Sequence, residues 1–469
     1  MPRRTKASIR FGLRPNSSFM FLDNHLIPEG VAWKFKKRHC DGGAKPRLTS
    51  DAQPFGVCNQ STKPKSQESM SVSTLTNHIG STPGSGPTMR ASVLCDVGRL
   101  EVRDVPRPVI SAHEVLVRVG AVGICGTDAH IFAGHANYNT NERGLPIPLV
   151  LQPQILGHEI SGTIEEVGQG VTDLKAGDRV VVDQGLNCVS RRRDILCDYC
   201  RTGDSHQCEF YREHGITGLP GGLAEFIAVP AVNAVKFSSR LAFSAAALVE
   251  PLGCVIHSSN TVAKARKRYS FNADKPDERV RSVLICGAGP AGLLFTQYLR
   301  NVVGYQGSLC VTDPNGRKRA LAAKLGANQT IDPTSCDLVD VVREHSNGKG
   351  VEYLIEASGA GEVFASIPGL INKQAAVLLY GHGHAGTDLS VMNNILFKEP
   401  FIVASVGASG GFEPDGRPSV YKRSLSLIET GQINVEALIT HQYNSFENVE
   451  SALTTDMTKE NYVKGVVVL

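Results

Sequence analysis

Three places in the chain hold side chains that could do chemistry. In GICGTDAHIFAGH, Cys125, Thr127, Asp128 and His130 fall within one short span. ILGHEISG holds His158 and Glu159, and ALVEPLG holds Glu250. A cysteine, a histidine and a carboxylate drawn from distant segments can make a three-ligand zinc site with an open fourth position. Zinc there acts as a Lewis acid on a bound hydroxyl or carbonyl oxygen. Each residue also has a plain reading, the cysteine as a small core hydrophobe and the others as surface. A second cluster is CDYCRTGDSHQC, where Cys197, Cys200 and Cys208 stand two and seven residues apart. A tetrahedral metal site needs one ligand more.

The other functional signal is a glycine turn, Gly287-Ala-Gly289-Pro290-Ala291-Gly292. An apolar strand, RSVLIC, precedes it and a helical run follows. Asp313 closes the next strand, SLCVTD, 21 residues after Gly292. The glycines allow a tight turn and close approach of backbone N–H groups to a pyrophosphate at a helix N-terminus. Asp313 would accept hydrogen bonds from ribose hydroxyls and repel a 2′-phosphate, which favours NAD over NADP. The basic run Arg317, Lys318 and Arg319 just beyond softens that preference.

These residues need elements to position them. From Met89 to about 252, segments such as HEVLVRVGAVGIC and ISGTIEEVGQG alternate apolar and polar residues between glycine turns, the signature of an all-β region. From about 253, strands alternate with helices, which implies a parallel, doubly wound sheet. The 469 residues are 41% hydrophobic and 20% charged, ample for a globular protein of two or three domains. No apolar run approaches a membrane span. Residues 1–88 differ: 13 Lys/Arg stand against 5 Asp/Glu, which leaves 36 against 40 for the rest of the chain's 49 and 45. The folded body is not basic, so no nucleic-acid partner is expected. Residues 1–88 read as a disordered extension, a start upstream of the true one at Met89, or a targeting segment without a clean apolar core.

Taken together, GICGTDAH, GHEISGTIEEVGQGV, AGDRVVV, the cysteine cluster, GGLAEF, EPLG, GAGPAG with Asp313, and LITH resemble the zinc-dependent medium-chain dehydrogenase/reductase superfamily of alcohol and polyol dehydrogenases. The resemblance runs from Met89 to Leu469. Glu250 and the EHGI stretch at 213–216 point within it to the sorbitol, threonine and glucose dehydrogenases. It implies an α/β architecture: a GroES-like β-barrel catalytic domain over 89–252, a Rossmann NAD(P)-binding domain over 253–429, and a return to the catalytic domain over 430–469. Cys125, His158 and Glu250 would hold a catalytic zinc, with Glu159 an alternate or supporting ligand. Asp128 would orient His158. Thr127 would accept the substrate hydroxyl proton and His130 pass it to solvent.

The resemblance also implies a structural zinc lobe near 188–208. The family spacing puts the missing ligand at Asp194; Cys188 lies six residues earlier, and SRRRDIL could loop out to let it reach. Cys188 is favoured, because three thiolates select a soft fourth ligand. Cytoplasmic metal binding is expected rather than a disulfide. Cys95, Cys254, Cys286, Cys310 and Cys336 read as core. Two stretches depart from the family, GHANYNTNERGLPIPLVLQPQ and KARKRYSFNADKPDERVRS. The first should border the substrate pocket, and its polarity fits a polyol or sugar better than a long-chain alcohol. A homodimer or homotetramer is expected, with a small-molecule alcohol, polyol or sugar as substrate.

Overall fold

The computed structural model describes residues 86–469, except 385, 387 and 389 and the side chain of Met392. The expectations for the extension lie outside those residues, apart from its last three.

The alternating segments form largely antiparallel sheets, with Ile439–Tyr443 and Lys464–Val468 the one parallel pair among them. One has the strand order Arg99–Pro106, Thr88–Asp96, Gln154–Ile155. A larger one runs Ala234–Lys236, Arg179–Val182, Glu159–Val167, Glu114–Gly123, Lys464–Val468, Ile439–Tyr443, and Phe226–Pro230 also pairs with Glu114–Gly123. The chain's last strand therefore lies against its third: Val467 is opposite Val122 and Val466 opposite Gly123. A two-residue hairpin, Gly185–Leu186 with Arg212–Glu213, carries the cysteine cluster in its loop.

The strand–helix half is a six-stranded parallel sheet in the order Gln329–Ile331, Ser308–Thr312, Ser282–Cys286, Val351–Glu356, Ile371–Leu379, Phe401–Ala404. In chain order this is 3-2-1-4-5-6, the doubly wound arrangement whose switch point lies between the first and fourth strands. Both faces are covered. Val283 and Ile285 join one apolar core, and Leu284 and Cys286 the core on the opposite face. Helix Val249–Lys264 packs into the first of these cores through Leu252, Val255 and Ile256.

The charged stretch at 264–282 closes this half. Lys267 Nζ donates to the Val262 carbonyl at the end of the helix (2.7 Å), and the Phe271 ring stands edge-on to Tyr305 and Tyr353. One cysteine reading is corrected. Cys95, Cys254, Cys286 and Cys310 are buried, but Cys336 is exposed, its thiol bonded to the Asp332 carbonyl in a turn before the next helix.

Candidate active site

Cys125 is the N-cap of helix Gly126–Phe132, which carries Thr127, Asp128 and His130. Asp128 is fully buried and ties three segments together. Its Oδ2 accepts from the Cys125 N–H (2.9 Å), and its Oδ1 accepts from the Gly157 N–H (3.2 Å). Oδ1 also lies 3.4 Å from His158 Nδ1, an electrostatic contact longer than a good hydrogen bond. Gly157, at φ +89, makes the turn that delivers His158 and Glu159 beside Cys125.

One ligand atom each from Cys125, His158 and Glu159 lies within 4.8 Å of the others. Glu250, in the first turn of its helix, is buried nearby but falls outside that spacing. The ligand trio expected from the sequence is Cys125, His158 and Glu250; Glu159, the alternate ligand, lies nearer to Cys125 and His158 than Glu250 does. Glu250 Oε1 is occupied by Gln184 Nε2 (3.0 Å) and Cys254 Sγ (3.2 Å), which leaves Oε2 as the oxygen it can offer a cation.

The electrostatics suit a cation. Burial works against charge on His158, yet Asp128 and Cys125 outweigh it and hold its pKa well above the usual value. Burial, with the charge of Glu159 adding and His158 opposing, pushes Glu250 up to about 7. His158 Nδ1 and Glu159 Oε2 are buried without a hydrogen-bond partner. Sulfur, imidazole and carboxylate donors crowded together in an electron-rich, protein-enclosed space fit zinc.

The second cluster is tighter. Ligand atoms of Cys188, Cys197, Cys200 and Cys208 all lie within 4.8 Å of one another. The segment after Cys188 turns back on itself, with Arg193 N–H bonded to the Cys188 carbonyl, and throws Arg192, Arg193, Asp194 and Ile195 outward. The Cys197 N–H then points at Cys188 Sγ (3.4 Å). Asp194, the alternative fourth ligand, is exposed and outside the cluster. Burial opposes it, but the N–H groups of Cys200 and Glu209 lower the Cys197 thiol to about 6. Four sulfurs at this spacing, with no disulfide among the described residues, suit a closed zinc site.

On helix Gly126–Phe132 and in the residues after it, together with one residue of the parallel-sheet half, stand several ring side chains. Tyr138 Oη and His382 Nε2 are 3.1 Å apart, and the His130 ring is 5.6 Å from His382 and 6.0 Å from His135. Burial, then the neighbouring His382 and His135, lower the His130 pKa. His382 lies just after strand Ile371–Leu379.

At the switch point, Gly287 sits at φ +100, where a Cβ would meet the backbone of Ala357 and Ser358 at 3.1 Å. A Cβ on Gly292 would lie 1.9 Å from the Gly287 carbonyl oxygen, so helix and turn touch backbone to backbone. Gly289 caps helix Pro290–Gln297, with Pro290 and Ala291 in its first turn and open space where a Cβ would go. Asp313 Oδ2 accepts from the Ala288 N–H (2.8 Å) and Oδ1 from the Asn315 N–H (2.8 Å), which braces acid and turn together. Arg319 is bonded to the Asp313 carbonyl and Arg317 is 3.8 Å from Glu460; Lys318 lends only its backbone, to the Asn315 cap. The cradle fits a dinucleotide.

Comparison with known proteins agrees with this geometry. Residues 111–239 match the family model for the alcohol dehydrogenase GroES-like domain, and residues 290–429 that for zinc-binding dehydrogenases. The L-threonine 3-dehydrogenase of Pyrococcus furiosus is 31% identical over 74% of this chain and 89% of its own. The chain belongs to the zinc-dependent medium-chain dehydrogenase/reductase superfamily. Two solved structures superpose at a TM-score of 0.66, each over 82% of this chain and 100% of its own: a zinc-binding dehydrogenase from Sinorhizobium meliloti bound to NADP (27% identical) and a protein from E. coli CFT073 described as a short chain alcohol dehydrogenase, with NADH (25%). As a medium-chain dehydrogenase the protein is an oxidoreductase acting on CH–OH donors. Among the described residues no helix is long and apolar enough to cross a membrane.

Sequence reasoning missed Lys464, Gln184, Tyr421 and His382. The only signal was chemical incongruity: a lysine inside the apolar YVKGVVVL, and a glutamine directly after the strand residues of VVVDQG.

Proposed function

We propose that this dehydrogenase oxidises a secondary alcohol of a polyol or sugar, with NAD as hydride acceptor. The observation that carries the reading is the ring of His130, His135, Tyr138 and His382 beside the Thr127 helix. These groups donate and accept hydrogen bonds and would satisfy several substrate hydroxyls at once, where an apolar chain would leave them unpaired. Cys125, His158 and Glu250 would hold the catalytic zinc, with Glu159 as alternate or supporting ligand, and the position left open would let the zinc polarise the substrate oxygen. Thr127, whose Oγ1 is 3.7 Å from Cys125 Sγ, takes the hydroxyl proton and hands it on to His130. The lowered affinity of His130 for protons keeps that ring neutral and able to accept at pH 7.

Cys188, Cys197, Cys200 and Cys208 hold a structural zinc, and Gly287, Gly289, Pro290, Ala291 and Gly292 seat the pyrophosphate. Asp313 on the ribose favours NAD, and Lys318 in the helix that follows it would meet a 2′-phosphate. The catalytic domain comprises 89–252 and 430–469 around a cofactor domain at 253–429, and the enzyme works in the cytoplasm. Exposed Ile402 on the edge strand Phe401–Ala404, with exposed Phe397 before it and Val406 after it, supports a homodimer or homotetramer. A second substrate reading, L-threonine, rests on the 31% identical relative. Steady-state rates on a panel of polyols, aldoses and L-threonine, each with NAD and NADP, test the proposal. Turnover of polyols or aldoses with NAD supports it, and turnover of L-threonine alone replaces it with the second reading.

A further inference from the structure

Glu250 is gripped by one oxygen. Gln184 Nε2 and Cys254 Sγ both reach Oε1, at 3.0 and 3.2 Å. All three side chains are buried. Cys254 stands one turn beyond Glu250 on helix Val249–Lys264, so the two share a face.

Gln184 is itself fixed. The Tyr421 hydroxyl donates to its Oε1, so its amide nitrogen is the end that faces Glu250. Tyr421 is fully buried in helix Ser419–Glu429, whereas Gln184 lies in the link between strand Arg179–Val182 and hairpin strand Gly185–Leu186. The backbone around Gln184 is clamped as well. Asn233 Nδ2 donates to the carbonyls of Asp183 (2.9 Å) and Gly185 (2.8 Å), and the His214 N–H donates to the Gln184 carbonyl (3.0 Å).

A carboxylate whose first oxygen already takes two donors offers a cation its second. We propose that Gln184 and Cys254 are positioning residues that make Glu250 a one-oxygen ligand of the catalytic zinc, and that Tyr421 sets Gln184 for the task. This rests on the reading of Glu250 as a ligand given above. Removing either donor frees Oε1 to rotate toward the cation, which changes the number and direction of ligand oxygens; outer partners of this kind tune metal affinity strongly.

The test uses the full chain with zinc kept in the four-cysteine lobe and cobalt(II) placed at the catalytic site. Gln184→Met keeps the side chain's volume without its donor. Cys254→Ala removes the thiol, and Cys254→Ser restores a donor. The expected result is catalytic-site zinc affinity weakened about 10–100-fold in Gln184→Met. A smaller loss is expected in Cys254→Ala and recovery in Cys254→Ser, with a matching change in the cobalt visible band. Tyr421→Phe should move both readouts the same way, less far. A merely structural role lowers thermal stability and leaves the cobalt band alone, and that outcome overturns the proposal. If Gln184→Met fails to fold, the Cys254 pair and Tyr421→Phe decide it, and unchanged affinity and spectrum in both overturn it. Glu250→Gln is the control: a wild-type band and affinity there would refute Glu250 as a ligand and the proposal with it. A changed band in Glu250→Gln beside unchanged positioning variants overturns the proposal alone.

Discussion

Lys464 Nζ lies 2.5 Å from Glu159 Oε1, with the two side chains 3% and 1% exposed. Lys464 also donates to the Ile124 carbonyl (2.8 Å), one residue before Cys125. Burial penalises its charge, but Glu159 and Cys125 outweigh that and raise its affinity for protons. Lys464 comes from the last strand and Glu159 from beside His158, so the C-terminus of the chain completes the electrostatics of the metal cluster. Such a pair adds little over an apolar substitute, yet removing one member strands the other charge.

Lys464→Met should therefore destabilise the metal-free protein by about 3–5 kcal/mol, with Glu159 left as an uncompensated buried acid. Saturating zinc should restore part of that loss, because the cation replaces the ammonium as counter-charge. Denaturant unfolding with and without zinc checks this. An equal loss in both conditions would show that Glu159 does not feel the catalytic cation.

Asp313 both braces the glycine turn and, in the proposed reading, binds the ribose. Asp313→Ser should raise the KM for NAD by about tenfold or more, the scale of a lost hydrogen bond to a charged group. It should lower the KM for NADP, since the repulsion of a 2′-phosphate disappears. The ratio of kcat/KM for the two cofactors is the decisive quantity, and an unmoved ratio would remove Asp313 from cofactor choice.

His257, half-buried on helix Val249–Lys264, lies near His206 of the cysteine lobe. Burial, and then the charge of His206, lower its pKa to about 4. The unfolded chain binds this proton with the ordinary histidine pKa of about 6.5. Between those values the unfolded state holds more protons, so stability falls as pH drops from about 6.5 to about 4. His257→Gln removes that contribution. Thermal melts across pH 4–7 should show a shallower acid limb in the variant than in the wild type, with the two converging above about pH 7.

Much of this was legible in the chain. Alternation of period two marks Glu114–Gly123 and Glu159–Val167 as strands, and the strand–glycine–helix grammar around Gly287 announces the parallel sheet. What stayed hidden is pairing at long range. Nothing local says that Val466 lies opposite Gly123, so Lys464 could not be placed against Glu159. Gln184 and Tyr421 are 237 residues apart, and their contact exists only once helix Ser419–Glu429 is packed beside the link that holds Gln184. Cys254 looked like core because burial and hydrogen bonding to a carboxylate leave the same trace in a sequence. Exposed Cys336 shows the converse, since it sits in a polar turn, DPTSCD, and its thiol bonds the Asp332 carbonyl rather than packing in a core.

The cysteine lobe yields the last prediction. Cys188 Sγ is 3.7 Å from Cys208 Sγ and receives the Cys197 N–H, whereas Asp194 points outward from the loop between them. Zinc per chain, by elemental analysis of protein never exposed to chelator, should be close to two. Asp194→Asn should leave it there. Cys188→Ser should bring it close to one, because a hydroxyl is a poor substitute for a thiolate on zinc. Bound structural zinc contributes of order 10 kcal/mol to holding a small loop, so Cys188→Ser should also loosen the lobe to proteolysis. The effect should travel further than the lobe. The hairpin that carries it begins immediately after Gln184, and Gln184 holds Glu250, so the zinc remaining in Cys188→Ser should be bound less tightly than the catalytic zinc of the wild type. Two zinc ions retained in Cys188→Ser, with one lost in Asp194→Asn, would reverse the assignment of the fourth ligand.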